Sequence, residues 1–154
     1  MKKRLIEDPL VERKIIEETP VLEEISDNIS IKVKNQYEEN PYPRWVRKKI
    51  FKPKSILDIL TPIKLNIHSE SVLNVNAPDI LIAGCGTGQQ SIETACRFSG
   101  CQVLAIDLSF ASLAYAKRKT DEFKINNIRY LQADILNLNK LDKKFDIIEC
   151  VGVL

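Results

Sequence analysis

Three glycines at alternate positions form the feature of this sequence that is best suited to bind a ligand. Gly84, Gly86 and Gly88 directly follow the apolar run at residues 80–83, which predicts a strand covered by helices on both faces. Glycine permits a tight turn and lets the main chain come close to a bound molecule. Residues 91–99 carry apolar side chains at helical spacing, so the loop would join a strand to a helix N-terminus. Such a turn suits an anionic or polar, nucleotide-like ligand.

Two aspartates follow the next two predicted strands. Asp107 ends an apolar segment at residues 101–109, and Asp134 ends another at residues 128–135. In an open parallel sheet, ligands bind beyond the carboxyl ends of the strands, where strand order reverses. Asp107 lies about 20 residues beyond the glycines, a spacing that lets a carboxylate accept hydrogen bonds from both hydroxyls of a ribose. Asp134 could then hold an adenine amino group. Either residue alone could equally be a helix cap or a turn former.

The elements that position these residues alternate between strand and helix from about residue 78. Strands are predicted at 79–83, 101–109, 128–135 and 145–153, with helices at 91–99 and 110–123. Gly100 is a plausible C-terminal cap and Ser109 a plausible N-cap. This alternation is the signature of parallel βα units. Right-handed crossovers would give the spatial order 3-2-1-4, so the predicted fold is a Rossmann-like α/β sheet behind an N-terminal arm.

The glycine spacing indicates which nucleoside is bound. Dinucleotide sites prefer G-x-G-x-x-G, whereas this loop reads G-x-G-x-G and has Gln89 where that third glycine would fall. The segment GCGTG after an apolar strand, with AID and AD at the next two strand ends, resembles the cofactor site of class I S-adenosylmethionine-dependent methyltransferases. The resemblance covers residues 78–154.

The resemblance implies a role for each residue of the loop and strand ends. The backbone of the glycine loop would line the methionine part of S-adenosylmethionine, and Asp107 would bind the ribose. Cys150, at the end of the fourth strand, would lie near the transferring methyl. The chain departs from the family at Ile82, where an acidic residue is common, so the cofactor's ammonium must be held elsewhere; loop carbonyls or Cys150 are candidates. The cofactor-binding residues so implied are Gly84, Cys85, Gly86, Gly88, Asp107, Leu108 and Ile135 (sandwiching the adenine), Asp134 (accepting from its amino group) and Cys150.

The N-terminal part divides into a charged arm and an aromatic segment. Residues 1–35 are interrupted by Pro9 and Pro20 and are interpreted as an arm or linker rather than a core. Residues 35–46, which contain NPYPRW, resemble a segment that precedes the methyltransferase domain in a group of bacterial proteins, some with tetratricopeptide repeats further upstream. The segment is either a lid, closing Tyr37, Tyr42 or Arg44 over the site, or a clamp that packs the arm on the core. A short helix is expected to follow to Phe51. Residues 1–55 are therefore assigned to the arm and residues 56–154 to the N-terminal part of the cofactor-binding domain.

Composition indicates one globular domain in the cytoplasm. The 154 residues are 44% hydrophobic and 29% charged, and no apolar run approaches a membrane span or a secretory signal. The four cysteines lack metal-binding spacing and are interpreted as reduced, buried thiols; no metal site is predicted. His68 precedes the loop and is not expected to be catalytic. Residues 44–54 carry six cationic side chains, which could attract RNA, although a solvated helix face is the preferred interpretation.

The predicted function is methyl transfer from S-adenosylmethionine to an unidentified acceptor, with a small molecule, protein, lipid or RNA all open. No catalytic residue is assigned, because acceptor specificity usually resides beyond the fourth strand. The family's sheet continues with further strands beside that one, so we expect a C-terminally truncated fragment that is inactive alone. The alternatives are an NAD(P)-binding oxidoreductase domain and a noncatalytic RNA- or protein-binding module that uses residues 44–54.

Overall fold

A four-stranded parallel sheet is the centre of the computed structural model, which describes residues 6–47, 52–63 and 70–153. The strand order is β3-β2-β1-β4, as the right-handed crossovers predicted. The strands are β1 (Asp79–Ala83), β2 (Gln102–Asp107), β3 (Ile128–Gln132) and β4 (Ile147–Cys150). The expected Rossmann-like α/β fold is therefore confirmed.

Five α-helices and shorter 3-10 turns surround this sheet within the described residues. Both helices of the βα units begin close to where the spacing of apolar residues placed them. Ser109 caps α5 as predicted, since its hydroxyl accepts from the Ser112 amide. The helices are α1 (Asp8–Glu18), α2 (Asn28–Glu39), α3 (Ile56–Leu60), α4 (Gln89–Arg97) and α5 (Phe110–Glu122), and the 3-10 turns are Thr61–Ile63, Glu70–Asn74 and Ile135–Lys140.

The central strand β1 is buried on both faces, as its apolar run predicted. Ile80 and Ile82 pack into a cluster that includes Ile92 of α4 and Leu113 of α5. Leu81 and Ala83 point to the other face, into a smaller cluster with Ile106 of β2. Each of these Ile and Leu side chains contributes about 1.5 to 3 kcal/mol when it is removed from water. The glycine loop is thus attached to the most deeply buried strand.

Three strands end earlier than the sequence suggested: β2 ends at Asp107 instead of 109, and β3 and β4 also stop short. β3 ends at Gln132 instead of 135, because Asp134 turns the chain and accepts from the Leu136 amide to cap a 3-10 helix. β4 covers Ile147–Cys150 rather than 145–153, and Gly152 beyond it adopts a positive φ of 72°. The chain is therefore irregular directly after β3 and after β4, at the carboxyl edge of the sheet, where Asp134 and Gly152 line a cavity.

The N-terminal arm contains two helices and packs against α5 and β3. α1 packs on α5, and the buried Arg118 guanidinium of α5 lies 2.8 Å from Glu12 and 3.4 Å from Asp8. Between the two helices of the arm, residues 20–22 pair with β3 through main-chain hydrogen bonds at Gln132. These contacts connect residues far apart in the chain, so no local pattern could reveal them.

Residues 45–47 and two of the four cysteines differ from what the sequence predicted. Residues 45–47 are not helical, and the rest of the helix expected to reach Phe51 falls on residues 48–51, outside the described part; His68 also lies outside it. All four cysteines are free, but only Cys85 and Cys101 are buried, while Cys96 is half-buried and Cys150 exposed. No helix in the described ranges is long and apolar enough to cross a lipid bilayer.

Candidate cofactor site

A cavity of about 1010 Å³ lies at the carboxyl edge of the sheet. The glycine loop, Asp107 at the end of β2 and Asp134 after β3 all line it, as the topology predicted. Its opposite wall is formed by α2 and by the segment that follows it. The sequence predicted the strand ends that line this cavity. For the aromatic segment of the arm it left two possibilities open, a lid over the site or a clamp on the core.

Main-chain hydrogen bonds connect the glycine loop to β2. The amides of Gly84 and Cys85 donate to the Ile106 carbonyl at 3.0 and 2.8 Å. Gly84 and Gly86 have positive φ values of 74° and 51°, a region that side chains with a Cβ rarely adopt. Both residues line the cavity; a Cβ on Gly84 would overlap the Val153 side chain, whereas the nearest neighbour of a Cβ on Gly86 would be the Tyr42 carbonyl oxygen at 3.6 Å.

Gly88 has a different role from the one implied by the resemblance. It is absent from the cavity wall, and a Cβ built on it would lie 2.5 Å from the Cβ of Ala116 and 3.1 Å from the Tyr130 hydroxyl oxygen. The structure therefore places the third glycine at the contact between the loop and α5. It permits close packing of the loop on α5, behind the cavity wall.

Asp107 organises the loop as well as facing the cavity. Its Oδ2 accepts a hydrogen bond from the Gly86 amide at 2.7 Å, and its Oδ1 accepts from the Ser109 amide at 3.0 Å. Burial raises the pKa of this carboxyl above its ordinary value, although these main-chain hydrogen bonds oppose the shift and the nearby Glu38 adds to it. Each carboxylate oxygen retains a lone pair for a further donor, so a ligand hydroxyl can still bind.

The residues predicted to surround an adenine come together on one side of the cavity. Leu108, Asp134 and Ile135 all line it. The Leu108 carbonyl accepts from the Gln132 amide side chain at 3.0 Å, which fixes the chain after β2. Asp134 is 3% exposed, and its Oδ1 is engaged as the cap of the following 3-10 helix.

Cys85 lines the cavity, but its thiol is not activated as a nucleophile. Burial, reinforced by the negative charge of Asp107, raises its pKa well above the ordinary value. A thiol is a nucleophile only as thiolate, so this group is not activated. Cys85 therefore belongs to the wall of the site through its backbone and bulk.

The structure separates Cys150 from the site and puts Glu149 there instead. Neighbouring residues of a strand point to opposite faces, and on β4 it is Glu149 that lines the cavity while Cys150 does not. The Glu149 Oε2 accepts hydrogen bonds from Gln90 at 2.7 Å and Thr94 at 2.8 Å. Sequence reasoning missed Glu149; a carboxylate inside the otherwise apolar strand FDIIEC was the signal that could have found it.

The NPYPRW segment contacts the glycine loop directly. The Thr87 hydroxyl donates to the Pro43 carbonyl at 2.5 Å, and the Trp45 indole Nε1 donates to the Thr87 carbonyl at 3.0 Å. Trp45 is 8% exposed, and its ring stacks on Phe123 with centroids 6.0 Å apart. Trp45 therefore acts as a clamp on the loop.

α2 and this segment also contribute residues to the cavity wall. Ile29, Val33 and Tyr37 are spaced one helical turn apart on α2 and all line the cavity, together with Tyr42. Arg44 faces elsewhere, with its guanidinium 5.9 Å from the centre of the Tyr115 ring. The described geometry thus combines the two alternatives, a clamp at Trp45 and a covering wall at Tyr37 and Tyr42.

Comparison with known proteins agrees with this geometry. Residues 80–154 match the family described as a methyltransferase domain. An uncharacterized protein of Rickettsia prowazekii is 31% identical over 123 residues, which are 78% of this chain and 46% of that protein. A ubiquinone biosynthesis O-methyltransferase of Coxiella burnetii is 31% identical over 98 residues, covering 64% of this chain and 40% of the enzyme.

One solved structure shows that the fold extends beyond the family match. It is a protein of echinomycin biosynthesis, where a disulfide bond is converted into a thioacetal group; the TM-score is 0.52 at 24% identity, covering 82% of this chain and 47% of that one. Residues 80–154 thus match a methyltransferase domain, and the sheet order and the glycine loop are those expected of the class I S-adenosylmethionine-dependent fold. The chain spans less than half the length of either curated relative.

Proposed function

We propose that this protein binds S-adenosylmethionine in the cavity at the carboxyl edge and transfers its methyl group to an acceptor that enters beside α2. The observation that carries the proposal is the composition of the cavity wall, in which bare glycine backbone and carboxylates from three strand ends converge. The O-methyltransferase among the relatives and the family match support the same reaction class.

The charge of the wall favours this cofactor over a dinucleotide. Five carboxylates and one guanidinium line the cavity among the described residues: Asp27, Glu93, Asp107, Asp134, Glu149 and Arg97. S-Adenosylmethionine carries a sulfonium and an ammonium against one carboxylate, whereas the pyrophosphate of NAD adds negative charge. Like charges brought together in a partly desolvated cavity repel. The spacing G-x-G-x-G, with Gln89 where the third glycine of a dinucleotide site would fall, favours the same cofactor.

An unsatisfied hydroxyl indicates that the site is built for a polar ligand. Ser112 lines the cavity, is 1% exposed, and its Oγ has no hydrogen-bond partner among the described residues. Buried polar groups in native proteins are almost always paired. A bound nucleoside would supply the missing partner, while Asp107 would accept from its ribose and Leu108 and Ile135 would enclose its base.

The chain's own contribution to the reaction is alignment and exclusion of water. The bound cofactor supplies an activated methyl group for an in-line displacement, which needs a base only for some acceptors. Ile29, Val33 and Tyr37 of α2 form an apolar wall opposite the glycine loop. That wall would hold an acceptor in line and keep the site dry. The acceptor itself, whether a small molecule or a protein, is not assigned.

We propose further that this chain belongs with the bacterial methyltransferases that carry NPYPRW before the domain. The contacts of Pro43 and Trp45 with Thr87 give that segment a purpose, since they hold the loop that cradles the cofactor. Upstream tetratricopeptide repeats, as in some of those proteins, stay a prediction. RNA binding by residues 44–54 also stays a prediction, and residues 48–51 of that stretch lie outside the described ranges.

Calorimetry with S-adenosylhomocysteine and with NAD tests the proposed cofactor. We expect the demethylated product to bind and NAD to leave no heat signal above dilution. Asp107→Asn serves as the site variant, because it removes the charge at the ribose position and one of the two oxygens that accept from the Gly86 and Ser109 amides. Binding of NAD alone would overturn the proposal. Binding of S-adenosylhomocysteine with equal affinity to the Asp107 variant would instead move the ligand to another part of the surface.

A further inference from the structure

Glu149 occupies a position from which it can reach a ligand beside the glycine loop. β1 and β4 are paired so that Ile82 lies opposite Glu149 and Ala83 opposite Cys150. Paired residues of parallel strands share a face of the sheet. Ile82 is 1% exposed and apolar, so β1 itself presents no carboxylate at this level. The neighbouring strand β4 therefore supplies a carboxylate on the face and at the level where β1 has Ile82.

The carboxylates of the cavity differ in what already holds them. Asp27 and Asp134 cap helices through main-chain amides, and Asp107 is tied to the loop. Glu93 forms an ion pair with Arg97. Glu149 is held by two neutral side chains, Gln90 and Thr94, with no cation on it among the described residues. A carboxylate on a partly buried wall is strongly stabilised by a hydrogen-bonded cation.

We infer that Glu149 binds the α-ammonium of the cofactor's methionine part. The inference rests on the proposed function and adds a binding residue that the glycine motif does not contain. Gln90 and Thr94 both lie in α4, the helix that follows the loop, so their hydrogen bonds hold the Glu149 carboxylate in the cavity wall that α4 shares with the loop. The ammonium thereby gains the anionic partner that Ile82 cannot provide.

A purely structural role for Glu149 gives a different outcome and can be separated from binding. If the carboxylate only joined β4 to α4, its replacement would lower stability and weaken all ligands of the site alike. If it binds the ammonium, only ligands that carry the amino acid portion lose affinity. Glutamine retains an oxygen that can accept from Gln90 and Thr94, so Glu149→Gln removes the charge and keeps those hydrogen bonds.

The experiment compares S-adenosylhomocysteine with 5′-methylthioadenosine, which has the nucleoside and thioether but lacks the amino acid portion. For Glu149→Gln we expect S-adenosylhomocysteine to bind about 10- to 100-fold more weakly, as for loss of a charged hydrogen bond. The affinity for 5′-methylthioadenosine should stay within about twofold of the wild-type value. The matched control is Asp146→Asn, which removes the same charge at the other end of the β4 segment, where Asp146 accepts from the Asp79 amide. This control should leave both affinities unchanged.

The possible failures are distinguishable. Equal loss for both ligands, or no loss for either, would overturn the role of Glu149 while leaving the proposed cofactor intact. An equally large effect of Asp146→Asn would show that net charge, not this position, is responsible. Failure of the wild-type chain to bind S-adenosylhomocysteine would overturn the proposed function, and the assignment of Glu149 with it.

Discussion

The indole Nε1 of Trp45 donates a hydrogen bond to the main-chain carbonyl of Thr87 at 3.0 Å, across 42 positions of sequence. Thr87 in turn donates its hydroxyl to the Pro43 carbonyl. The glycine loop is therefore held by hydrogen bonds to β2 and to the N-terminal arm. Loss of either support should loosen the loop.

Trp45→Phe tests this clamp. Phenylalanine can still stack on Phe123 but cannot donate to Thr87, so a buried carbonyl loses its partner. We expect the free energy of unfolding to fall by about 1 to 3 kcal/mol and S-adenosylhomocysteine to bind more weakly. Urea unfolding followed by circular dichroism, with calorimetry, measures both. Tyr42→Ala is the control for stability, because the Tyr42 side chain is 74% exposed and should change it by less than about 0.5 kcal/mol. An unchanged Trp45→Phe protein would contradict the clamp.

Gly88→Ala and Gly86→Ala should separate packing from ligand contact. At Gly88 a Cβ would meet Ala116 at 2.5 Å, whereas at Gly86 its nearest neighbour is the Tyr42 carbonyl oxygen at 3.6 Å. Both residues have positive φ, so each substitution adds about 1 kcal/mol of backbone strain. The Gly88 variant should therefore show the larger drop in melting temperature. The Gly86 variant should lose more affinity for S-adenosylhomocysteine relative to the stability that it loses. The opposite ranking would return Gly88 to the ligand site.

Asp107 should make cofactor binding depend on pH. The ionised carboxylate is the better acceptor for two hydroxyls, and burial raises its pKa above the ordinary 3.8. Affinity for S-adenosylhomocysteine should therefore fall as the pH drops through this raised pKa, at a higher pH than an ordinary aspartate would give. Asp107→Asn should bind about 1.5 to 3 kcal/mol more weakly at neutral pH and lose this dependence. Calorimetric titrations between about pH 7 and pH 4 give the comparison.

Stability of the free protein should respond to Asp107 in the opposite sense. The folded state holds the proton more tightly than the unfolded state, because the folded pKa is the higher one. The contribution of this group to the unfolding free energy is fully present below the unfolded value and is lost as the pH rises through the folded value. The wild type minus Asp107→Asn difference in unfolding free energy should thus decrease from acid to neutral pH. A flat difference would show that the carboxyl is not shifted.

Ser112→Ala separates the free protein from the complex. Removal of a buried hydroxyl without a partner should leave the free protein equally stable or slightly more stable, by up to about 1 kcal/mol. If a bound nucleoside supplies the partner, the same change should weaken S-adenosylhomocysteine binding by about 0.5 to 1.5 kcal/mol. Thermal unfolding with and without ligand measures both effects. Ser112→Ala with reduced stability and unchanged affinity would exclude Ser112 from the site.

Local sequence pattern was sufficient for the framework of this protein. The apolar run of β1, the three glycines and the Ser109 cap depend on residues close together in the chain. Strand order then follows from chirality, since right-handed crossovers leave few arrangements of βα units. The convergence of Asp107 and Asp134 on one edge is a consequence of that order. Each of these inferences uses backbone preferences that operate over a few residues.

The identity of the residues that face the cavity required the tertiary structure. Gly84 and Gly88 belong to the same motif, yet the first lines the cavity and the second packs on Ala116, because only the position of α5 decides which glycine is covered. On β4 the pairing with β1 determines which of two adjacent residues faces the site, and it selects Glu149 instead of Cys150. The arm, charged and weakly patterned, is positioned by ion pairs at Arg118 and by the Trp45 clamp. Such contacts join residues distant in sequence, and their energy depends on a geometry that exists only once the sheet and its helices have assembled.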